Sequence, residues 1–475
     1  MTSGRSRRRP GPGGRSAAFV LAVLFCVTGC TSGTADPSTA APQPLPAGAS
    51  TASTASAEST ESTVPTGTPG DASSGSGVVV PVTTTGTTEA GTTVTGTTVT
   101  TRTTASTRVS LVPQTPNGLV TGPGVDDTAI TLGAIIDPET DRGFLTGFRL
   151  WQSGVNATTG ICGRTVVLRL PPAATTPALT AYQGLAPLSL GLITLPSGAD
   201  DGGLAEQIAA DQVPAVTPSG QSTDLSSYGP MIVGATDDIL AINAASYLAE
   251  AGIAPAGTTL SVVHDGSASA QDALTGLAWW AERADIGLDL HGPDALDGPF
   301  APGVLVLGDP DLTGAVLAAT PSTTTVITTL AGYDPDAIEP DQADRLLVGM
   351  PTTAPDSDHP GAVALTGLFT DAWGTPPGPL VFAGYATGTI WGRLLEQACA
   401  DGLLTRAGIR SAAVAMGPDS PDSLLGAVDL APLVAQGRPA TKMSALSTAD
   451  PAAAGGVTSL TWLRSAPGIA DYPPD

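Results

Sequence analysis

The chain has 475 residues, with 19 basic against 43 acidic side chains and a formal charge of −24. So acidic a surface repels nucleic acid and anionic lipid head groups, which excludes nucleic-acid binding through its own charge. Lys442 is the only lysine.

In chain order, Arg5, Arg7, Arg8, Arg9 and Arg15 make a basic start with no acid. Ala17–Val27 follows, an apolar run of 11 residues. That is the length of a signal-peptide core and well short of the roughly 20 residues a spanning helix needs. It ends in Val27-Thr28-Gly29-Cys30, which resembles the lipobox of bacterial lipoproteins. The resemblance implies cleavage before Cys30, a lipid on its thiol, and attachment to the outer face of a cell membrane. Residues 1–29 therefore read as a lipoprotein signal peptide, and Cys26 leaves with it.

Residues 30–124 are dominated by Thr, Ser, Ala, Gly and Pro, as in Thr83-Thr84-Thr85-Gly86-Thr87-Thr88. With so few large apolar side chains no core offsets the entropy of ordering, so this stretch reads as an unstructured tether.

From Asp126 the texture changes. Ala129–Ile136 is a buried-strand run. Phe144, Phe148, Trp151 and Val155 then fall on one face of a helix. The pattern continues with a strand at Thr165–Leu170, a helix at Thr176–Ala186, a strand at Gly191–Leu195, a helix at Asp201–Ala210 and strands at Val213–Val216 and Met231–Val233. A helix from Asp237 to Ala251 turns Leu240, Ala244, Tyr247 and Ala251 to one side, and Gly252 stops it. Its Asp237-Asp238 pair, like Asp200-Asp201, suits a helix N-terminus, where the dipole favours negative charge. Strands at Leu260–His264, Val304–Leu307, Thr325–Thr329 and Leu346–Gly349, a helix at Ala270–Ala284, and later helices at Ala362–Trp373, Val381–Cys399 and Thr405–Ala415 complete the alternation. Strand–helix alternation over about 300 residues predicts an α/β fold, with parallel sheets covered by helices and two lobes rather than one.

Enzyme signatures are missing. His264, His291 and His359 are isolated, there is no G-x-S-x-G elbow, and Lys442 follows Thr441 rather than glycine, which excludes a Walker A loop. No CxxC pair or His/Cys cluster indicates a metal site, and no cofactor is expected. After processing, Cys162 and Cys399 are the remaining unmodified cysteines. In an oxidising compartment they can form one disulfide; two buried thiols are the alternative.

Six segments carry a family resemblance. Ile130-Thr131-Leu132-Gly133-Ala134-Ile135, Gly147-Phe148-Arg149 and Val155-Asn156-Ala157-Thr158-Thr159-Gly160-Ile161-Cys162-Gly163-Arg164 resemble the opening of the branched-chain amino-acid-binding proteins. These are type I solute-binding components of ABC transporters. Gln212–Ser219, Ala251–Asp265 and Phe382–Arg410 resemble the strand before the hinge, the start of the second lobe and the late helix pair of that family. The resemblance implies two Rossmann-like lobes joined by three crossovers: residues 125–228 with 352–440, and residues 229–351 with 441–475. It places a ligand in the cleft between them, at the carboxyl ends of the strands. Ser197, Gly198, Ser219 and Gln221 take the positions of loops that hold a ligand carboxylate. Thr140 lies in the polar stretch that replaces an aromatic after the first strand, and Ser269 stands where the second lobe often carries another. Asp309 and Tyr333 are the candidates for receiving a ligand amine. Both cysteines map to the first lobe, which permits a bridge there.

The expectation is a monomeric, lipid-anchored binding protein, not an enzyme, that hands a small polar solute to a membrane permease. The alternative is a ligand-sensing or envelope-structural lipoprotein with the same fold, suggested by the long tether and the replaced aromatics. A secreted hydrolase lacks its nucleophile–base constellation.

Overall fold

The computed structural model describes residues 118–473 apart from 140, 173–175, 196–202, 227–228, 419–422 and 454. The signal peptide, Cys30 and nearly all of the expected tether lie outside the described residues.

Residues 118–124, expected as the end of the tether, belong to the folded head. Leu119 is buried, and β1 (Val120–Thr121) runs parallel to a short strand near residue 403. Two adjacent apolar residues suffice there because the partner strand offers a free edge. The chain continues through β2 (Ala129–Ile135), α1 (Arg142–Asn156), β3 (Thr165–Arg169), α2 (Ala178–Leu185), β4 (Gly191–Thr194), α3 (Leu204–Asp211), β5 (Ala215–Thr217) and β6 (Met231–Ile232). Strands β2 to β6 form one all-parallel sheet in the order β3-β2-β4-β5-β6. Strand β6 therefore completes the first lobe, a few residues past the expected boundary at 228. Its apolar Met231 and Ile232 are buried there.

After a first crossover come α4 (Asp237–Glu250), β7 (Thr259–His264), α5 (Ala268–Ala284), β8 (Gly287–His291), β9 (Gly303–Leu307), α6 (Pro310–Ala319), β10 (Thr325–Thr329), α7 (Pro340–Ala343) and β11 (Leu346–Met350). The chain then returns to the first lobe as α8 (Pro360–Trp373), α9 (Pro379–Ala400), β12 (Leu403–Leu404), α10 (Arg406–Ala415) and α11 (Leu430–Gln436). A third crossover delivers β13 (Ser444–Ala449) and β14 (Val457–Arg464), giving the second sheet the order β14-β13-β11-β10-β9-β7-β8. The pair β13–β14 is an antiparallel edge on an otherwise parallel sheet. The expected parallel sheets are present, and this edge adds an antiparallel pair whose short connection needs no crossover helix.

Helix α4 departs from its expected one-sided pattern. Leu240 and Ala244 are buried, but so is the whole run Asp238–Ser246, while Ala251 is exposed. The helix is covered by α5 as well as by the sheet, so no face is left to solvent at its centre.

The first lobe packs α1 against α9 at backbone contact distance. A Cβ at Gly147 would strike the carbonyl of Val381, and one at Gly384 would strike that of Phe144. Trp151 lies over Gly388 and Gly392, so three glycines spaced by four along α9 form one groove. Phe144, Phe148 and Trp391 fill the core beside it. Cys162 and Cys399 are joined as a disulfide, with Cα atoms 6.0 Å apart, tying the loop before β3 to the last turn of α9.

Candidate functional site

The carboxyl ends of the strands meet at the first crossover. Beyond β5, Thr217 Oγ1 donates to the carbonyl of Ser219 at 2.8 Å, which turns the chain into the segment Gly220–Ser222. The Asp237 amide donates to the Gly220 carbonyl at 3.0 Å, bringing the N-terminus of α4 against that segment. Gly234 makes the crossing tight: a side chain there would strike the Pro218 carbonyl and press on Pro351 of the next crossover.

From the second lobe, Ser267 caps α5 by accepting from the Ala270 amide at 3.2 Å. That fixes Ser269 and Asp272, three residues apart on one helix face, toward the crossing. Ser269 Oγ donates to Asp237 Oδ2 at 2.7 Å. Asp272 accepts from the Ser222 amide at 2.8 Å and also from the Ser222 hydroxyl. It takes a longer bond from the Asp238 amide at 3.4 Å. Asp238 is fully buried; its Oδ1 accepts from Thr236 Oγ1 and from the Ile239 amide at 2.7 Å.

Burial pushes the Asp237 carboxyl up to about 7; the Ser269 bond pulls the other way, and the nearby Asp272, Asp238 and Asp224 carboxyls add to the rise. Burial likewise raises Asp272, helped by Asp238 and opposed by its bonds to Ser222. Three hydroxyl–carboxyl pairs are present, Ser269–Asp237, Ser222–Asp272 and Thr236–Asp238, yet among the described residues no histidine is bonded to them, so none of these hydroxyls has a base partner of the triad kind. Among the described residues no group of three His, Cys, Asp or Glu side chains could hold a metal ion.

Of the residues singled out in the sequence, Ser219, Gln221 and Ser269 lie in or beside this network. Ser219 and Gln221 are half-buried, with Gln221 Oε1 accepting from Thr223 Oγ1 at 3.3 Å. Asp309 and Tyr333 are outside it. Asp309 is exposed and caps α6 through the Leu312 amide at 2.8 Å. Tyr333 is buried, its hydroxyl donating to the Gly456 carbonyl, and burial pushes it up to about 12. Thr140, Ser197 and Gly198 lie outside the described residues. Sequence reasoning missed Asp237, Asp238 and Asp272 as site residues. The acidic pair looked sufficient as a helix start, whereas the usable signal was Asp272 one turn beyond Ser269 on a largely apolar helix.

A cavity of about 620 Å³ lies elsewhere, lined by Gly252, Thr258, Thr259, Pro302 and Thr325 at the amino ends of the second sheet. That is the opposite end from the crossing.

Several solved structures share this fold. A fatty acid ABC transporter substrate-binding protein from Thermomonospora curvata superposes with a TM-score of 0.67 at 21% identity, covering 75% of this chain and 97% of that one. The fold is that of the type I periplasmic binding proteins. A possible leucine/isoleucine/valine-binding protein from Rhodopirellula baltica matches with a TM-score of 0.58 at 15% identity, over 71% of this chain and 98% of that one. A branched-chain amino acid ABC transporter protein from Thermus thermophilus, solved with bound valine, gives 0.57 at 13% identity, over 72% and 98%. Neither a sequence-family model nor a curated protein matches the chain.

Proposed function

We propose that the chain is an extracytoplasmic solute-binding protein, anchored through a lipid on Cys30, that captures a small polar molecule between its lobes for an ABC importer. The observation that carries this reading is the crossing itself. Segment Ser219–Ser222 of one lobe and the start of α5 of the other meet through Asp237 and Asp272. A solute touching both sides favours the state in which they are together, which is how a hinged binding protein closes. No bond is made or broken in this function. Hydroxyl and amide groups at Ser219, Gln221 and Ser269 suit a small polar ligand such as an amino acid or a relative of one. Ser197 and Gly198, which follow β4 in sequence, and Thr140, which follows β2, are proposed as further contacts on the family resemblance.

The test is thermal unfolding of the purified chain against a library of amino acids, amides, polyamines and fatty acids, the last because of the Thermomonospora likeness. One class should raise the midpoint in a dose-dependent way, and Ser269→Trp should remove the shift. A library with no stabilising member contradicts capture and favours the alternative, a sensing or structural lipoprotein with this fold.

A further inference from the structure

Both donors of Ser222 converge on one carboxylate. Its amide donates to Asp272 Oδ2 at 2.8 Å and its hydroxyl to Asp272 Oδ1. Each carboxylate oxygen has its own donor, and both residues are buried. Hydrogen bonds to a charged acceptor are stronger than neutral ones, and more so out of water. The pairing joins the lobes, since Ser222 follows β5 and Asp272 lies on α5, 50 positions later.

Asp272 is not free to swing away. One turn further along α5, a Cβ at Gly276 would strike Asp238, so α5 is seated on α4 at backbone contact distance. The Asp238 amide adds a longer bond to Asp272 Oδ2 at 3.4 Å. A rigid helix pair of the second lobe therefore delivers a carboxylate into two donors of the first.

An amide and a hydroxyl, one to each oxygen, are also what a solute carboxylate needs when it leaves water. We propose that Ser222 forms a carboxylate-binding position which the chain fills itself with Asp272, so that the cleft takes solutes presenting an amide, alcohol or amine rather than a free carboxylate. The selection among solutes rests on the capture function proposed above; the self-occupancy does not.

Charge works in the same direction. Asp237 and Asp238 act on each other or on Asp272 as like charges. Among the described residues no lysine or arginine is hydrogen-bonded to these three carboxyls. The charge of Lys442 acts on Asp238, but its Nζ donates to the carbonyls of Ile469, Ala470 and Tyr472. An incoming carboxylate would lose its hydration, meet three carboxyls and find the Ser222 donors taken. A neutral or cationic group can instead donate to Asp237, which is half-buried beside Ser269.

The test is anion rescue in the full-length chain, with formate as the probe and chloride at equal ionic strength as the control. Asp272→Ala leaves a space of carboxylate size beside the two donors. Its unfolding midpoint should lie below that of the wild type and rise with formate, by about 2 °C or more beyond chloride. The wild type should gain no more from formate than from chloride. Adding Ser222→Ala to Asp272→Ala should shrink the formate gain. An Asp272→Ala chain indifferent to formate, or a gain that Ser222→Ala leaves intact, overturns the self-occupancy. The wild type carries the second arm, and decides alone should Asp272→Ala fail to fold. Matched pairs of a small carboxylic acid and its primary amide are compared as stabilisers. The amides should raise the midpoint more than their acids. An acid that stabilises as well as its amide overturns the selection with solute capture left standing, and pairs in which neither member acts overturn both.

Discussion

The two lobes share a topology and are held together by different means. The first is a covalent and close-packed body: a disulfide between Cys162 and Cys399, and a glycine-lined seam between α1 and α9. The second depends more on polar ties that reach across long stretches of chain. Asn243 on α4 bonds Ser444 Oγ at 2.9 Å and receives the Ala466 amide at 2.7 Å. Lys442 gathers three carbonyls of the C-terminal segment. Arg464 pairs with Glu250. The difference teaches that one α/β plan tolerates two solutions, one close-packed and covalent, the other tied by polar side chains.

Three substitutions separate these solutions, taken from the largest expected effect to the smallest. Replacing Cys162 and Cys399 together by alanine opens a link between residues 237 positions apart. It should cost about 4 kcal/mol, the range for a long loop. Calorimetry should show the midpoint fall, and hydrogen exchange should place the loss in α1, β3 and α9. Gly384→Leu forces a side chain against the Phe144 carbonyl and should cost about 3 kcal/mol, the upper part of the range for overpacking. Urea unfolding measures it, with Thr389→Leu on the exposed side of the same helix as a near-neutral control. Lys442→Met leaves three carbonyls without their donor and should cost about 2 kcal/mol. Its local signature is faster carboxypeptidase trimming of residues 466–473, with the first lobe unaffected. If the lysine change loosens α1 and α9 as much as the cysteine change does, the contrast between lobes fails.

Much of the head was legible because its strands and helices carry strong periodic signals. Ile130, Leu132 and Ala134 mark β2, and Phe144, Phe148 and Trp151 mark α1; all are buried. The antiparallel edge was harder to read, since Val457–Arg464 turns Leu460 and Trp462 to solvent rather than into a core, and its pairing with Ser444–Ala449 depends on the turn between them. Strand β1 escaped because two apolar residues after a Thr-rich stretch give no periodicity to detect. The site was half legible. Ser219, Gln221 and Ser269, singled out beside family-like segments, lie in or next to the candidate junction. Asp237 and Asp272 were not, because a carboxyl at a helix start has an adequate local explanation until the crossing brings another lobe against it. Asp309, also at a helix start, caps α6 through the Leu312 amide.

The central claim is that the two lobes enclose a small solute. Native mass spectrometry of the freshly purified full-length chain addresses it most directly. The account predicts a one-to-one adduct that leaves on denaturation, is absent from Ser269→Trp, and re-forms on adding the solute so identified. A bare mass for the wild-type chain, persisting after incubation with each member of the solute library, would contradict it.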